Sequence, residues 1–259
     1  LGDVYKRQIL GSISFIVLAD LAKTKRFNRL RLDTRLVIIG SVGLWLLGGL
    51  ITFLFEHGNP STLGNLPLLD QITNSIFQSI SGRTAGFSSI DFGMVYAPTD
   101  FFYLLMMFIG GATASTAGGI KINTAMVLLA AAWAELRGRE HAGLLKREIP
   151  YGLGARALAI LILALAFVFT VVMLLALFEN ASLSAGEFRF LDLCFEAISA
   201  LGTVGLSTGI TDQLTSQSQY LLVIAIYLGR LGPLTLALGL AMREHRVSYR
   251  YGEERVRIG

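Results

Sequence analysis

FQSISGRTAGFS, residues 77–88, and FEAISALGTVGLS, residues 195–207, decide the fold of this chain because they are two copies of one motif. They align with a single one-residue gap, which places residues 84–88 on residues 203–207. Both copies are polar and glycine-bearing, yet apolar stretches flank them. Non-helical backbone at membrane depth is tolerated only where it is buried in protein or lines a water-filled path. The pair therefore predicts pore-forming turns rather than ordinary loops.

The sequence beyond the two copies keeps the same spacing. Gly86 is followed 24 residues later by Gly110, and Gly205 is followed by Gly229 after the same interval. Each copy predicts the order spanning helix, short re-entrant helix, polar turn and spanning helix. The predicted fold class is an all-α integral membrane protein with two membrane–pore-loop–membrane repeats.

Composition indicates a membrane protein. Of 259 residues, 53% are hydrophobic and only 15% are charged, against about 25% charged in soluble domains. The uncharged runs Leu36–Phe55 and Ala157–Phe178 are long enough to cross about 30 Å of hydrocarbon. A third run, Tyr220–Met242, is interrupted only by Arg230. The single cysteine, Cys194, excludes an internal disulfide and a cysteine-based metal cluster.

The stretch Thr99–Ala134 is too long for one simple crossing, since 36 residues of helix would extend about 54 Å. It contains GGATASTAGGIK, residues 110–121, which is a poor helix in lipid. We predict two half-helices with a loop between them at membrane depth. A phosphate-binding P-loop is the rival interpretation, but Lys121 is followed by Ile122 and not by Ser or Thr.

Basic residues are concentrated in three segments, and this pattern predicts the topology. Sixteen of the 22 Lys and Arg residues lie there, whereas the segments between them hold mostly acids. By the positive-inside rule the basic loops and the C-terminus are cytoplasmic. Both repeats then run in the same direction, so equivalent turns converge on an axis along the membrane normal. Alternation with spans of membrane length argues against nucleic-acid binding. The basic residues are Lys23, Lys25, Arg26, Arg29, Arg31 and Arg35; Arg137, Arg139, Lys146, Arg147 and Arg156; and Arg243, Arg246, Arg250, Arg255 and Arg257.

The predicted turns favour binding of a cation. Residues 70–80 and 190–200 are each expected to form a pore helix whose carbonyl end, with its partial negative charge, points to the centre. The extended residues that follow can aim carbonyls at the axis, and Gly86 and Gly205 supply backbone angles that a side chain would forbid. Rings of such carbonyls replace the hydration shell of an alkali cation. An anion would meet the wrong end of every dipole.

Three motifs in this order resemble the pore segments of the Trk/Ktr/HKT superfamily of potassium transporters, the bacterial Ktr/Trk membrane subunit in particular. They are SGRTAGFSSIDF, GGATASTAGGIKI and ALGTVGLSTGITDQL, and the resemblance covers the chain from about residue 9. It implies a potassium-channel-like pore with four repeats, of which this chain holds the third and fourth. The implied potassium filter, which binds the ion only through backbone carbonyls, consists of Thr84, Ala85, Gly86, Phe87, Thr203, Val204, Gly205 and Leu206.

The resemblance also implies the domain boundaries. Residues 1–8, which do not begin with Met, are expected to be a cloning or assembly scar, and residues 9–35 the end of the preceding repeat with a basic linker. Residues 36–156 form the third repeat and residues 157–259 the fourth repeat with its basic tail. The chain is thus expected to be a C-terminal fragment of a four-repeat protein.

The loop at residues 110–121 resembles the intramembrane gating loop of the same family. A charge within a span is costly and usually functional, and Arg230 aligns with Gly111 at the start of this loop. We expect its guanidinium to bond loop carbonyls and to repel cations. Arg83, one residue before the filter, is expected to anchor the pore-helix end or to pair with an outer acid. The predicted gate residues are Gly110, Gly111, Thr113, Ser115, Thr116, Gly118, Gly119, Lys121 and Arg230.

The predicted function is potassium uptake across the cell membrane, with no covalent chemistry and no cofactor; the ion is the substrate. The resemblance implies a homodimer and a cytosolic nucleotide-binding regulatory subunit on the basic segments. Three alternatives stay open: a sodium-selective or sodium-coupled member of the superfamily, a subunit of a tetrameric potassium channel, and a membrane enzyme. The chain lacks the clustered acids or nucleophile–base pair that an enzyme would need at membrane depth.

Overall fold

The computed structural model describes residues 8–231, apart from residues 10, 25, 114, 116, 140–142, 146 and 151. The described chain is mostly helical. Its helices are α1 (Phe15–Lys23), α2 (Leu32–Glu56), α3 (Leu68–Ser81), α4 (Ala97–Phe108), α5 (Ile122–Leu136), α6 (Leu153–Phe178), α7 (Asn180–Ala185), α8 (Phe190–Gly202) and α9 (Ser216–Leu231). Single 3₁₀ turns lie at Phe27–Arg29, Phe92–Met94 and Thr211–Gln213.

Helices α2 and α6 are long and apolar enough, by length and composition, to cross a membrane. Their 25 and 26 residues correspond to about 38 Å of helix each, and they contain the two predicted uncharged runs. The third predicted run begins within α9. Its residues beyond Leu231, like the basic tail that follows, lie outside the described residues.

The predicted break in the helix across Thr99–Ala134 is present in the structure. α4 ends at Phe108 and α5 begins at Ile122, with non-helical backbone between them. The two short helices predicted at residues 70–80 and 190–200 are α3 and α8. α3 begins two residues earlier and ends one residue later than predicted, and α8 begins at residue 190 and ends two residues later.

Small residues let α3 pack closely against α2. A Cβ on Gly48 would lie 2.8 Å from Met106 Cε and closer still to Ser79 Oγ, so a larger residue there would displace these two side chains. The Ser79 hydroxyl donates to the carbonyl of Trp45, 2.8 Å away. This contact ties the short helix to the middle of the long one.

A buried glutamate lies at the end of each long helix, α2 and α6. Each one caps the start of a later helix: Glu56 caps α4, and Glu179 caps α9. Glu56, fully buried at the end of α2, accepts the backbone N–H of Tyr96 at 3.0 Å, just before α4. Glu179, after α6, accepts the N–H and the hydroxyl of Thr215 at 2.8 and 2.7 Å, just before α9. Both carboxylates therefore satisfy donors that a helix N-terminus leaves free.

An apolar cluster joins the first half of the described chain to the second. Phe92 packs on Tyr103 and Phe195, with ring centroids 4.9 and 5.3 Å apart, and Val204 belongs to the same buried cluster. α4 and α8 are thereby held side by side, which positions the two glycine-bearing turns next to each other.

Two short β-strands depart from the predicted all-α fold. Gly143–Leu144 (β1) and Arg147–Glu148 (β2) pair antiparallel between α5 and α6. The segment is polar and Leu145, at the turn, adopts a positive φ of 53°. A hairpin satisfies its backbone groups locally, which helical periodicity could not predict.

Candidate functional site

Two turns of equivalent conformation follow α3 and α8. The backbone is left-handed at Thr84 and Thr203, with φ of 67° and 49°, although neither residue is a glycine. Two residues further on, Gly86 and Gly205 have φ of 75° and 90°. The two predicted filter segments thus share left-handed backbone at two aligned positions. The extended backbone expected for these segments is wrong at Thr84 and Thr203, where the chain is left-handed as it leaves each short helix.

A serine inside each short helix holds the turn that follows it. The Ser199 hydroxyl donates to the carbonyl of Leu206 at 2.6 Å, and the Ser81 hydroxyl donates to the carbonyl of Phe87. These serines are aligned in the two copies. Each bond fixes the far end of a turn against the last helical turn before it.

Gln78 and Glu196 make a second pair of equivalent contacts. The Gln78 side chain donates to the Ser88 hydroxyl at 2.7 Å and accepts from the Ser89 N–H at 3.1 Å. At the aligned positions Glu196 accepts from Ser207 and Thr208, at 2.6 and 3.1 Å. The sequence analysis did not single out the four residues that hold the turns, which are Ser81, Ser199, Gln78 and Glu196. The signal was that polar residues occupy the same aligned positions in both copies.

The two turns meet. A Cβ on Gly86 would lie 2.5 Å from the Val204 carbonyl oxygen and 3.2 Å from Gly205 Cα. A Cβ on Gly205 would lie 3.3 Å from Gly86 Cα. Backbone of one turn therefore approaches backbone of the other, with the Val204 carbonyl oxygen facing Gly86.

Backbone hydrogen bonds close the base of the loop predicted as a gate, where residues 108–111 face residues 120–122. The Gly110 N–H donates to the Ile120 carbonyl at 2.8 Å, and the Ile120 N–H donates to the Phe108 carbonyl at 3.1 Å. The Ile122 N–H donates to the Gly111 carbonyl at 3.0 Å. Ile109 and Ile120 form a parallel bridge. The ends of α4 and α5 are thus joined by hydrogen bonds across the loop.

The loop packs against the end of α8 and the turn that follows it. A Cβ on Gly118 would lie 2.7 Å from the Gly202 carbonyl oxygen and 2.6 Å from Thr203 Oγ1. Gly119 has a φ of 68° and also faces Gly202. A Cβ on Gly110 would overlap the Gly118 carbonyl oxygen, so these glycines are needed for close approach.

Polar residues of the loop bond mainly to its own backbone. The Ser115 hydroxyl donates to the Ala112 carbonyl at 2.6 Å, and the Lys121 ammonium donates to the Ala117 carbonyl. Thr113 is exposed. Thr116 lies outside the described residues.

Arg230 and Arg83, the two arginines singled out from the sequence, differ in exposure and in the groups that they face. Arg230 is exposed near the end of α9, close enough to Lys121 for the two positive charges to repel each other. Arg83 is buried and donates to the Gly110 carbonyl at 2.7 Å. The expected pairing of Arg83 with an outer acid is wrong within the described part of the chain, because its described partners are carbonyls at the start of the loop.

Residues 4–249 match the TrkH family, described as a cation transport protein. The chain belongs to the TrkH family. It is 39% identical over 246 residues to the Ktr system potassium uptake protein B of Bacillus subtilis, covering 95% of this chain and 54% of that protein. It is 36% identical to the protein of the same name from Vibrio alginolyticus, over 97% of this chain and 54% of the relative.

A third relative carries a different name. The chain is 32% identical to the potassium/sodium uptake protein NtpJ of Enterococcus hirae, covering 97% of this chain and 55% of that protein. The chain spans about half the length of the curated relatives it matches.

A solved structure shows the fold. The crystal structure of the potassium transporter TrkH from Vibrio parahaemolyticus matches with a TM-score of 0.69 at 16% identity, over 91% of this chain and 50% of that one. The protein is thus a mostly helical membrane protein of a transporter family, and not an enzyme.

Proposed function

We propose that this protein takes up potassium through a carbonyl-lined filter that an intramembrane loop gates. The observation that carries the proposal is the meeting of two equivalent turns, each with a left-handed threonine and a left-handed glycine. We interpret them as the filter segments of two parallel membrane–pore-loop–membrane repeats. These are residues 36–156 and 157–259, the third and fourth of four repeats in a longer parent, whose relatives are about twice as long.

The filter works by replacing water with fixed carbonyl oxygens. α3 and α8 each end at a turn, and a helix C-terminus carries partial negative charge that favours a cation. The serine bonds from Ser81 and Ser199 fix the far end of each turn against its own helix. A dehydrated potassium ion then meets oxygens of residues 84–87 and 203–206 without reorganisation of the protein. Potassium is the substrate, and the proposal needs no cofactor.

The gate works by obstruction. Gly118 packs against the end of α8, and in our proposal the loop closes the path beneath the filter until it moves aside. The charges of Lys121 and Arg230, which repel each other, add an electrostatic barrier to a cation on the same path. The gate residues in this proposal are Gly110, Gly111, Thr113, Ser115, Thr116, Gly118, Gly119, Lys121 and Arg230.

The proposed setting is a multi-pass protein of the plasma membrane with its basic segments in the cytoplasm. The exposed apolar side chains of α2 and α6, such as Leu46, Leu50 and Phe169, suit contact with lipid. We further propose a homodimer whose basic segments contact a cytosolic nucleotide-binding regulatory subunit.

A second candidate function is sodium-selective or sodium-coupled transport. One relative is named a potassium/sodium uptake protein, and both filter segments depart from the channel sequence TVGYG. Phe87 and Leu206 stand where the channel has tyrosine, and Ser88 and Ser207 replace its second glycine. A potassium channel subunit with one repeat per chain is less consistent with two unequal repeats.

The test is growth of a potassium-auxotrophic bacterium at limiting potassium. The host expresses the full-length parent, the variant Gly205→Asp or the control Gly186→Asp. Both glycines have positive φ, 90° and 76°, but Gly186 follows α7 with open space around it. We expect rescue by the parent and by the control but not by Gly205→Asp. Equal rescue by Gly205→Asp would refute the filter assignment, and failure of a well-expressed parent would refute potassium uptake.

A further inference from the structure

A cavity of about 680 Å³ lies where α2, α5 and α6 begin, and none of the described filter or gate residues lines it. The buried part of its lining is apolar. Leu36 of α2, Val127 of α5 and Ala157 of α6 line it and are 4%, 8% and 4% exposed. Sites for small molecules have volumes of about 300–1,000 Å³ and mostly apolar walls. The cavity thus has the size and the lining of a ligand site that the proposed ion path does not use.

Charges of opposite sign lie at the exposed part of the same lining. Asp33 is in the first turn of α2 and Arg156 is in the first turn of α6, and both are exposed. Among the described residues, no ion pair joins these two side chains or engages either of them. The Asn123 side chain, which also lines the cavity, donates to Asp33 Oδ1 and holds that carboxylate in place. An anion and a cation therefore border one apolar cavity without pairing with each other.

The side chains beside the cavity suit contact with lipid. Leu158 and Ile162 follow Arg156 on α6 and are 49% and 57% exposed. Leu153, which lines the cavity, is also exposed. In a membrane protein, exposed apolar side chains face hydrocarbon, and charged side chains near a helix end reach the headgroups. The cavity therefore offers an apolar surface to an acyl chain and two charges to a headgroup.

A phospholipid headgroup that carries both charges matches this arrangement. Its phosphate would face Arg156 and the nearby helix N-termini, whose partial positive charge favours an anion. A primary ammonium in the same headgroup would donate a charge-assisted hydrogen bond to Asp33. Phosphatidylethanolamine has such an ammonium. Phosphatidylcholine carries three methyl groups in place of the ammonium protons and cannot donate, and phosphatidylglycerol has no cation for the carboxylate.

We propose that this cavity is a binding site for phosphatidylethanolamine. The phosphate lies on Arg156, the ammonium lies on Asp33, and one acyl chain covers the buried apolar lining. Asn123 is a positioning residue, because its bond orients the carboxylate that receives the ammonium. Removal of the apolar lining from water stabilises the bound lipid. A soluble headgroup such as free phosphoethanolamine would leave that lining in contact with water, so the lipid is the ligand.

The first test uses the unaltered full-length parent, stripped of lipid in detergent. Native mass spectrometry measures its binding of phosphatidylethanolamine, phosphatidylcholine and phosphatidylglycerol, each with two oleoyl chains. We expect phosphatidylethanolamine to bind at least about tenfold more tightly than the other two, as suits one charge-assisted hydrogen bond. An excess of free phosphoethanolamine should displace none of it. Equal binding of the three lipids, no binding of any, or displacement by phosphoethanolamine would overturn the proposal.

Variants of the same parent locate the site. Asp33→Asn should abolish the preference for phosphatidylethanolamine over phosphatidylcholine, whereas Arg156→Gln should weaken binding of all three lipids about tenfold, because each carries a phosphate. Glu135→Gln and Arg139→Gln are the matched controls, since both residues are exposed and lie outside the cavity. A preference that survives in a folded Asp33→Asn protein would overturn the proposal, and so would an equal loss in the controls. Lipid binding is measured without ion flux, so failure of potassium uptake would refute the proposed function alone.

Discussion

An alanine at Gly86 should damage transport far more than an alanine at Gly205, although both positions are left-handed. The backbone strain is common to the two variants, because a non-glycine residue in this region costs about 1–2 kcal/mol. The two positions differ in the atoms that the new methyl group would meet. The new Cβ at position 86 would lie 2.5 Å from the Val204 carbonyl oxygen, whereas the Cβ at position 205 meets only Gly86 Cα at 3.3 Å.

The difference in distance sets the size of the effect. Ordinary van der Waals contact begins at 3.4 Å, so Gly86→Ala must move the Val204 carbonyl by about 0.9 Å, and Gly205→Ala must move its neighbour by only about 0.1 Å. Forcing an extra methyl group into a packed site costs about 1–3 kcal/mol, equivalent to a factor of about 5–150. We expect potassium uptake by Gly86→Ala to fall at least about tenfold below that of Gly205→Ala.

The assay is the initial rate of potassium uptake by cells that express equal amounts of the full-length parent, Gly86→Ala or Gly205→Ala. Elution as a single species in detergent establishes that each variant is folded. The reasoning would be refuted if Gly205→Ala were as inactive as Gly86→Ala, or more so. In that case the close approach of the two turns would not control ion passage.

Two further predictions concern buried carboxylates near the helix ends. Arg189→Met leaves the fully buried Asp100 without its ion-pair partner, and should lower the unfolding free energy by about 1–3 kcal/mol, less than for a fully buried pair because Arg189 is half exposed. The double variant with Asp100→Asn should recover part of the loss in melting temperature, and no recovery would contradict the role of the pair. Burial raises the pKa of Glu179, but hydrogen bonds from Ser218 and Thr215 outweigh burial, so that the pKa is lowered from its usual 4.5. The native state then binds fewer protons than the unfolded state, so the stability advantage over Glu179→Gln should be present above about pH 4.5 and lost as the pH falls below it. A difference in melting temperature that grows on acidification would contradict this.

Much of the architecture could be predicted because it depends on local patterns. Charge-free runs mark α2 and α6, and glycines with small hydroxyl residues mark the break between α4 and α5. Alignment of the two copies indicated which residues share a conformation. The left-handed backbone at Gly86 and Gly205 agrees with what the equal spacing of glycines in the two copies implies.

The partners of Arg83 could not be predicted in the same way. Its acceptor Gly110 lies 27 residues away, and backbone carbonyls leave no trace in a sequence. The sequence therefore left two expectations for Arg83, anchoring of the pore-helix end or pairing with an outer acid, and could not name the carbonyls that it contacts. The support given by Gln78 and Glu196 was missed for a similar reason, since a polar side chain on a pore helix has several possible directions and only the packed turn selects one.

Potassium flux into vesicles that contain only the purified full-length parent tests the central claim most directly. Isotopic uptake is measured with potassium alone and with a tenfold excess of sodium, for the parent and for Gly205→Asp. We predict uptake by the parent that sodium reduces by less than half, and no uptake by Gly205→Asp above that of empty vesicles. Uptake that sodium abolishes, or that survives in Gly205→Asp, would contradict a potassium filter built from the two turns.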